Sequence, residues 1–213
     1  MPLSDIRTIN DHTLLGFWHL TELPEELLPL LPPQLPQERL QQLKTPKRQT
    51  EWLGSRLLAY ELLKKFTDAP LVLQNNALGK PVFDKPAFRV SISHSPELAV
   101  VILSDKYEVG TDIEFIRPKI GLLAEKFLSE TEKTDAGTDI SKISVYWSAK
   151  ETLYKLYSRK QLIFKEQLLV KPFELKEKGA LEGQVLADDF NQKFTLQYEH
   201  LSNHILTYSF SEK

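Results

Sequence analysis

The sequence contains no cysteine among its 213 residues. This absence excludes a disulfide framework, a metal site built from thiolates and a cysteine nucleophile. The sequence also lacks an apolar run long enough to span a membrane. Its first twenty residues show no signal peptide, because charged residues interrupt every apolar segment there. We therefore expect a soluble cytoplasmic protein with no membrane partner.

The sequence carries little net charge. Lysines and arginines number 27 and acidic residues 29, which gives a formal charge of -2 at pH 7. We do not expect such a chain to bind nucleic acid through a general basic surface, so a phosphate-bearing ligand would need a local group of cations. Hydrophobic residues make up 41% of the chain and charged residues 26%, which is ordinary for a globular protein.

The clearest chemical pattern lies in residues 145–158, which we predict to form a helix. At about 100° per residue, the apolar residues fall on one side of this helix and the polar residues on the other. Glu151 and Lys155 lie one turn apart on the polar side, so they present a carboxylate and an ammonium together. In isolation such a pair is typical of a solvated helix. The side expected to face a core comprises Val145, Tyr146, Ala149, Leu153 and Leu156.

A second group of carboxylates lies about forty residues upstream, in a predicted strand at residues 109–115. Apolar or β-branched residues alternate there, so Asp112 and Glu114 point from the opposite face. One interpretation is a solvated strand face with nearby lysines. The other is a site for a hard cation such as Mg²⁺, which prefers oxygen ligands. Gly110, just before the pair, would allow another backbone or a ligand to approach closely.

These two segments resemble the two-part signature of the 4′-phosphopantetheinyl transferase superfamily. The first part is Gly-Thr-Asp-Ile-Glu at 110–114, and the second is Trp-Ser-Ala-Lys-Glu-Thr-Leu-Tyr-Lys at 147–155. Thr111 stands where the family usually has valine or isoleucine, and Thr152 where serine or alanine is commoner. Neither change removes a functional group. Three further family-like elements precede them in order: Trp-Leu-Gly-Ser-Arg at 52–56, Gly-Lys-Pro at 79–81 and Ser-Ile-Ser-His-Ser at 91–95.

The resemblance implies a reaction and a catalytic site. The enzyme would move the 4′-phosphopantetheine arm of coenzyme A to a serine of an apo acyl or peptidyl carrier protein and release adenosine 3′,5′-bisphosphate. A Mg²⁺ ion, with Mn²⁺ as the alternative, would be bound by Asp112, Glu114 and Glu151. Glu151 would be the general base, directly or through a metal-bound water. Lys155 would reach the phosphates of coenzyme A, and Lys150 would border the same site.

The resemblance also implies a nucleotide site. Arg56, Lys80 and His94 would bind the 3′-phosphate of coenzyme A and the groups around it. Trp52 and Trp147 are interpreted as core or helix-anchoring residues. Arg56 is open to a second interpretation, because arginines on helices often cover apolar surface.

The order of predicted elements is strand, long helix and strands, repeated once. This order predicts an α+β fold. The resemblance implies two similar halves related by pseudo-two-fold symmetry, at residues 1–107 and 108–213, each with a long helix on an antiparallel sheet. It places the active site between them, in a monomer. Predicted strands lie at 13–20, 71–73, 89–93, 98–103, 109–115, 168–175, 181–186, 193–201 and 205–210. Predicted helices lie at 24–31, followed by a break at the prolines 32, 33 and 36, at 37–66, with a break near Pro46, and at 119–128, 131–135 and 145–158. Gly179 is placed in a turn and Ser129 at a helix N-cap.

Two other functions remain open at this point. One is a non-catalytic relative that binds carrier proteins, and the other is a different Mg²⁺-dependent phosphoryl enzyme such as a nuclease or phosphatase. Nothing in the sequence chooses the carrier. Residues 117–128 mix cations with apolar side chains, so they form either a docking surface for an acidic carrier or an ordinary amphipathic helix with Phe127 and Leu128 in the core.

Overall fold

The computed structural model describes residues 3–85, 87–159 and 162–212. It confirms the α+β fold, with antiparallel sheets and helices along the chain. The chain divides into two compact units, Met1–Val109 with Glu212–Lys213, and Gly110–Ser211. None of the helices in the described residues has both the length and the apolar character needed to cross a membrane. The predicted division at residue 107 and the pseudo-two-fold relation stay predictions.

The first unit is built on a four-stranded antiparallel sheet with the order β1-β2-β6-β5. Helix α3 packs against β2, β5 and β6 and buries Leu53, Leu58 and Leu62 there. The elements are β1 (Leu3–Asn10), β2 (Thr13–His19), α1 (Pro24–Leu27), a 3-10 turn (Leu28–Leu30), α2 (Glu38–Gln41), α3 (Pro46–Leu63), β3 (Leu73–Asn75), β4 (Pro81–Phe83), β5 (Arg89–His94) and β6 (Leu98–Ser104).

Helix α3 begins at the predicted break. The side chain of Thr45 accepts a hydrogen bond from the Arg48 backbone N–H, and Pro46 occupies the first turn, where its missing N–H is not needed. Strand β6, which covers the strand predicted at 98–103, is buried along its whole length because its sequence is a nearly continuous apolar run. Strand β1 was not predicted, because it has a mixed polar sequence at the sheet edge, with five intermediate and three exposed residues and no buried face.

The second unit is built on a five-stranded sheet with the order β7-β11-β10-β9-β8. Helix α6 packs on this sheet, chiefly against β11. The elements are β7 (Glu108–Phe115), α4 (Lys119–Phe127), α5 (Glu130–Ala136), α6 (Ile140–Tyr157), α7 (Phe164–Gln167), β8 (Leu168–Val170), β9 (Lys178–Ala187), β10 (Phe190–Leu201) and β11 (His204–Ser211).

Three local predictions in this unit have clear outcomes. Ser129 is the N-cap of α5, and its backbone N–H in turn bonds the Glu132 carboxylate at 2.7 Å, so the prediction is confirmed. The strand predicted at 168–175 ends at Val170, because Pro172 has no N–H to continue a ladder. Gly179 lies inside β9 rather than in a turn.

Candidate active site

Helix α6 carries the predicted catalytic residues in the second unit. It begins after Asp139, whose side chain accepts a hydrogen bond from the Lys142 backbone N–H, and it ends at Ser158 in the left-handed conformation with φ 58°. Glu151 and Lys155 lie on one part of the helix surface and are half-buried. The helix therefore presents both side chains in the same direction, one turn apart.

Gly110 explains how closely β7 approaches this helix. A Cβ atom at residue 110 would lie 2.7 Å from the Thr152 carbonyl oxygen and 2.8 Å from Cγ of Leu156. Both distances are shorter than van der Waals contact, so a larger residue would push strand and helix apart. The close backbone approach predicted at Gly110 is thus present, and its partner is α6.

Lys155 and Asp112 form the central ion pair of the site. The Lys155 ammonium donates to Oδ1 of Asp112 at 2.9 Å and to the Thr111 carbonyl oxygen at 2.9 Å. The Asp112 side chain is 8% exposed and that of Lys155 is 24% exposed, so solvent screens this pair less than a surface pair. The structure therefore brings together one residue from each part of the two-part motif.

The two glutamates share this environment. Burial, and secondarily the charge of Asp112, raises the pKa of Glu114. Three smaller effects lower this pKa: the charge of Arg117, a hydrogen bond from Trp147 and the charge of Lys155. Burial, followed by the charge of Asp112, raises the pKa of Glu151 to about 7, although Lys155 lowers it. A carboxylate with a pKa near neutrality is suited to accept a proton at physiological pH. Trp147 thus does more than anchor the helix, because it donates a hydrogen bond to Glu114.

These carboxylates are the side chains available to hold a divalent ion. In the described residues, no three histidine, aspartate or glutamate side chains already form a cluster that could hold a metal. The donor set of Asp112, Glu114 and Glu151 nevertheless consists of carboxylate oxygens, which Mg²⁺ prefers. Because Mg²⁺ usually takes few protein carboxylates and adds water and substrate phosphate, the set fits an ion that is bound together with a phosphate-bearing substrate.

Lys150 does not lie with these residues. Its ammonium is fully buried and donates to the Glu132 carboxylate at 2.6 Å and to the carbonyl oxygens of Phe127 and Phe164 at 2.7 and 3.1 Å. Three acceptors satisfy the three protons of an ammonium. The prediction that Lys150 borders the catalytic site is therefore corrected: successive helix residues point about 100° apart, and the Lys150 ammonium is bound in the interior by Glu132 rather than by the residues around Asp112.

A separate pocket of about 300 Å³ lies in the first unit, along α3. It contains two predicted nucleotide-binding residues, Arg56 and His94, and two arginines that the sequence reasoning missed, Arg39 and Arg48. The four-residue spacing of Arg48, Trp52 and Arg56 was the available signal, because it puts all three on one helix face. The remaining lining residues are Leu43, Glu51 and Asn75.

The pocket is electrostatically positive. Burial, followed by the charge of Arg39, lowers the pKa of Arg56 to about 10, and its guanidinium lies 4.6 Å from the Trp52 ring centre. His94 Nδ1 lies 3.6 Å from the Glu51 carboxylate. The pocket holds three arginines and one glutamate, so the arginines repel one another. A bound anion would relieve that repulsion.

Lys80, the third predicted nucleotide ligand, lies elsewhere in the first unit. Its ammonium is 3.9 Å from the Glu108 carboxylate, which also accepts a 2.6 Å hydrogen bond from Arg89. Burial lowers the pKa of Lys80, while Glu108 raises it. Lys80 is not among the residues that line the arginine pocket.

Comparisons with known proteins bear on both units. Residues 108–209 match the model of the 4′-phosphopantetheinyl transferase superfamily, and residues 36–104 match that of the 4′-phosphopantetheinyl transferase N-terminal domain. The chain is similar to the 4′-phosphopantetheinyl transferase AcpT of Salmonella typhimurium, with 30% identity over 139 residues, which cover 63% of this chain and 67% of the relative. It is also similar to AcpT of Escherichia coli K12, with 28% identity over 176 residues, which cover 80% of this chain and 76% of the relative. The chain belongs to the 4′-phosphopantetheinyl transferase superfamily and is a transferase.

Proposed function

We propose that this transferase moves the 4′-phosphopantetheine arm of coenzyme A to a serine of an apo acyl or peptidyl carrier protein. The observation that carries the proposal is the arrangement of Glu151, with a pKa raised to about 7, beside the Asp112–Lys155 pair. This arrangement places a proton acceptor with a pKa of about 7 beside the Lys155 ammonium. Transfer of a phosphoryl group depends mainly on such positioning and charge stabilisation.

Each residue of the site has its own role in the proposed reaction. Glu151 takes the proton from the serine hydroxyl while the serine oxygen forms a bond to the β-phosphorus of coenzyme A. The bond from that phosphorus to the bridging oxygen breaks, and adenosine 3′,5′-bisphosphate leaves with the electron pair. Lys155 stabilises the charge on the phosphates. Asp112, Glu114 and Glu151 would hold Mg²⁺, or Mn²⁺ as the alternative, and the ion would neutralise pyrophosphate charge when bound.

The arginine pocket on α3 is proposed to bind the 3′-phosphate of coenzyme A. Arg48, Arg56 and His94 supply the cationic donors, and guanidinium groups suit phosphate geometry. The buried Nε1–H of Trp52 has no hydrogen-bond partner in the described part of the chain, so it offers one more donor to a ligand. We do not assign Lys80 to this phosphate, because it pairs with Glu108.

The carrier is proposed to dock on the outward face of α4. Phe127 and Leu128 are core residues, as one of the two sequence interpretations held. Leu122, however, is 82% exposed, and Lys119 and Lys126 share its side of the helix and are exposed too. An apolar residue between two cations complements an acidic surface that has an apolar centre.

The test is a mass measurement. The purified protein is incubated with coenzyme A, Mg²⁺ and a panel of apo acyl and peptidyl carriers, and the carriers are weighed. We expect at least one carrier to gain one phosphopantetheine arm, with adenosine 3′,5′-bisphosphate released in equal amount. Glu151→Gln should lower the rate by about 10²-fold, the usual contribution of a general base. The exposed Glu182, which pairs with Lys171, supplies the matched control Glu182→Gln, and this variant should keep the native rate.

Two outcomes would contradict the proposal. A near-native rate for Glu151→Gln in excess Mg²⁺ would remove α6 from the chemistry. Release of free phosphate, or cleavage of nucleic acid, without any gain of carrier mass would favour a different phosphoryl enzyme. For the docking face, Lys119→Glu with Lys126→Glu should raise the KM for the carrier and weaken its salt dependence, whereas Lys178→Glu on β9 should not.

A further inference from the structure

Four buried hydroxyl groups connect α6 to the sheet beneath it. They belong to Thr111 on β7, Ser148 and Thr152 on α6, and Thr207 on β11, and each of these residues is fully buried. Buried hydroxyls need hydrogen-bond partners, because an unsatisfied one weakens a fold. The bonds these four groups make therefore constrain where the helix can lie on the sheet.

Thr207 is the centre of this network. Its hydroxyl oxygen lies 2.9 Å from the Ser148 carbonyl oxygen, so it donates there. The same oxygen lies 2.7 Å from Oγ1 of Thr152 and 2.9 Å from Oγ of Ser148, and it accepts from both. A threonine hydroxyl has one proton and two lone pairs, and all are used here. The Thr207 backbone carbonyl accepts a further bond from Oγ1 of Thr111 at 2.9 Å.

The network ends at residues of the candidate active site. Ser148 and Thr152 are four residues apart and share the buried face of α6, and Thr152 directly follows Glu151 in the chain. Thr111 donates to Thr207 and offers its own carbonyl oxygen to the Lys155 ammonium at 2.9 Å. Thr111 and Thr152 are also the two positions at which this sequence departs from the usual family signature. Both threonines hydrogen-bond Thr207.

We propose that Thr207 is a positioning residue for the transfer reaction: through Ser148, Thr152 and Thr111 it sets the position of α6 relative to β7, and with it the distances from Glu151 and Lys155 to the reacting groups. The inference rests on the proposed function. A displacement of about 1 Å at a reacting group can lower a rate by about 10²-fold, so a modest shift of α6 has a measurable effect. Without Thr207, the helix hydroxyls would turn toward carbonyl oxygens of their own helix.

Three variants on β11 test the role. Thr207→Val keeps the shape and removes the hydroxyl, and its kcat should fall about tenfold while the KM for coenzyme A changes by less than about twofold. Thr207→Ser keeps the hydroxyl and should restore kcat to within about twofold of the native value. Ser209→Ala is the matched control, because Ser209 is a nearly fully buried hydroxyl on the same strand that bonds Thr195 on β10 instead of α6. It should leave kcat unchanged.

A double-mutant cycle separates positioning from loss of folded protein. If Thr207 acts through Glu151, Thr207→Val should slow a Glu151→Gln background much less than it slows the native protein. A lower fraction of folded enzyme would slow both backgrounds equally. Circular dichroism at the assay temperature establishes that each variant is folded. Should Thr207→Val fail to fold, Ser148→Ala and Thr152→Val remove the two hydroxyl–hydroxyl bonds from the helix side, although the bond from Thr207 to the Ser148 carbonyl stays, and together they should lower kcat in the same direction.

The outcomes are distinct. A folded Thr207→Val with native kcat, beside a native protein that modifies carriers, would overturn the positioning role and leave the proposed function intact. Equal losses in both backgrounds of the cycle would also overturn it. A native protein that modifies no carrier of the panel would instead overturn the proposed function, and this inference with it.

Discussion

Substitution of Gly110 by alanine probes how closely helix α6 must pack on β7. The added methyl carbon would lie 2.7 Å from the Thr152 carbonyl oxygen and 2.8 Å from Leu156 Cγ. The leucine can rotate, but the carbonyl belongs to the helix backbone. Since ordinary contacts of this kind are about 3.5 Å, α6 must move away from β7 by roughly 0.8 Å.

The energetic effect has two opposing parts. Overpacking a buried contact lowers the free energy of unfolding by about 1–3 kcal/mol. Loss of glycine flexibility in the unfolded chain stabilises by about 0.4–1 kcal/mol. We therefore expect a net destabilisation of about 1–2 kcal/mol. The effect on kcat should be large even though the protein stays folded. A shift approaching 1 Å at Glu151 and Lys155 can lower kcat by about ten- to a hundredfold.

The assay pairs urea unfolding with carrier modification, and Gly183→Ala is the matched control. A Cβ atom at residue 183 would lie 2.7 Å from Leu196 Cδ1 and 2.9 Å from Leu153 Cδ1, which are the ends of flexible side chains. This variant should lose less stability than Gly110→Ala and keep kcat near the native value. Native stability and native kcat in Gly110→Ala would show that the close approach of strand and helix does not position the site.

Three further predictions concern other groups of residues. Lys150→Met should lower the free energy of unfolding by about 3–5 kcal/mol, because Glu132 would lose its buried counter-ion, and Glu132→Gln should recover part of the loss in urea titrations; a stable Lys150→Met that fails only in transfer would instead make Lys150 catalytic. Arg48→Ala and His94→Ala should weaken coenzyme A binding by about ten- to a hundredfold while changing 3′-dephospho-coenzyme A binding little, as calorimetry would show; equal effects on both ligands would move the 3′-phosphate out of the pocket. Asp112→Ala should keep the fold, because Glu114 and Glu151 still balance the Lys155 charge after its partner is removed and no longer experience repulsion from Asp112, yet it should abolish carrier modification; a rate close to native would exclude Asp112 from the site.

Much of the chemistry could be predicted from short stretches of sequence. Alternation in β7 placed Asp112 and Glu114 on one face, and helical spacing placed Glu151 and Lys155 together. Glycine at 110 indicated a close approach, and serine at 129 a helix cap. Each of these properties depends only on residues a few positions apart. Over that distance, the regular geometry of a helix or strand determines the direction of each side chain.

Local pattern misled where side chains had distant partners. Lys150 adjoins Glu151 in sequence, but its ammonium pairs with Glu132, eighteen positions away, in the interior. Gly179 resembles a turn residue, yet it lies in β9 opposite Tyr198 on β10, where a Cβ atom would be 2.8 Å from Cε1 of that tyrosine, so glycine is needed for packing. Spacing along the chain contains no information about which element packs opposite.

The sequence by itself determined the α+β composition, the oxygen-rich character of the candidate metal site and the order of its motifs. Only the tertiary structure decided that Lys155 pairs with Asp112, that Arg39 and Arg48 join Arg56 and His94 in one pocket, and that Thr207 bonds two residues of α6. The physical reason is that periodicity fixes the direction of a side chain from its own element. Its partner, its burial and therefore its pKa depend on elements that meet only after the chain has folded.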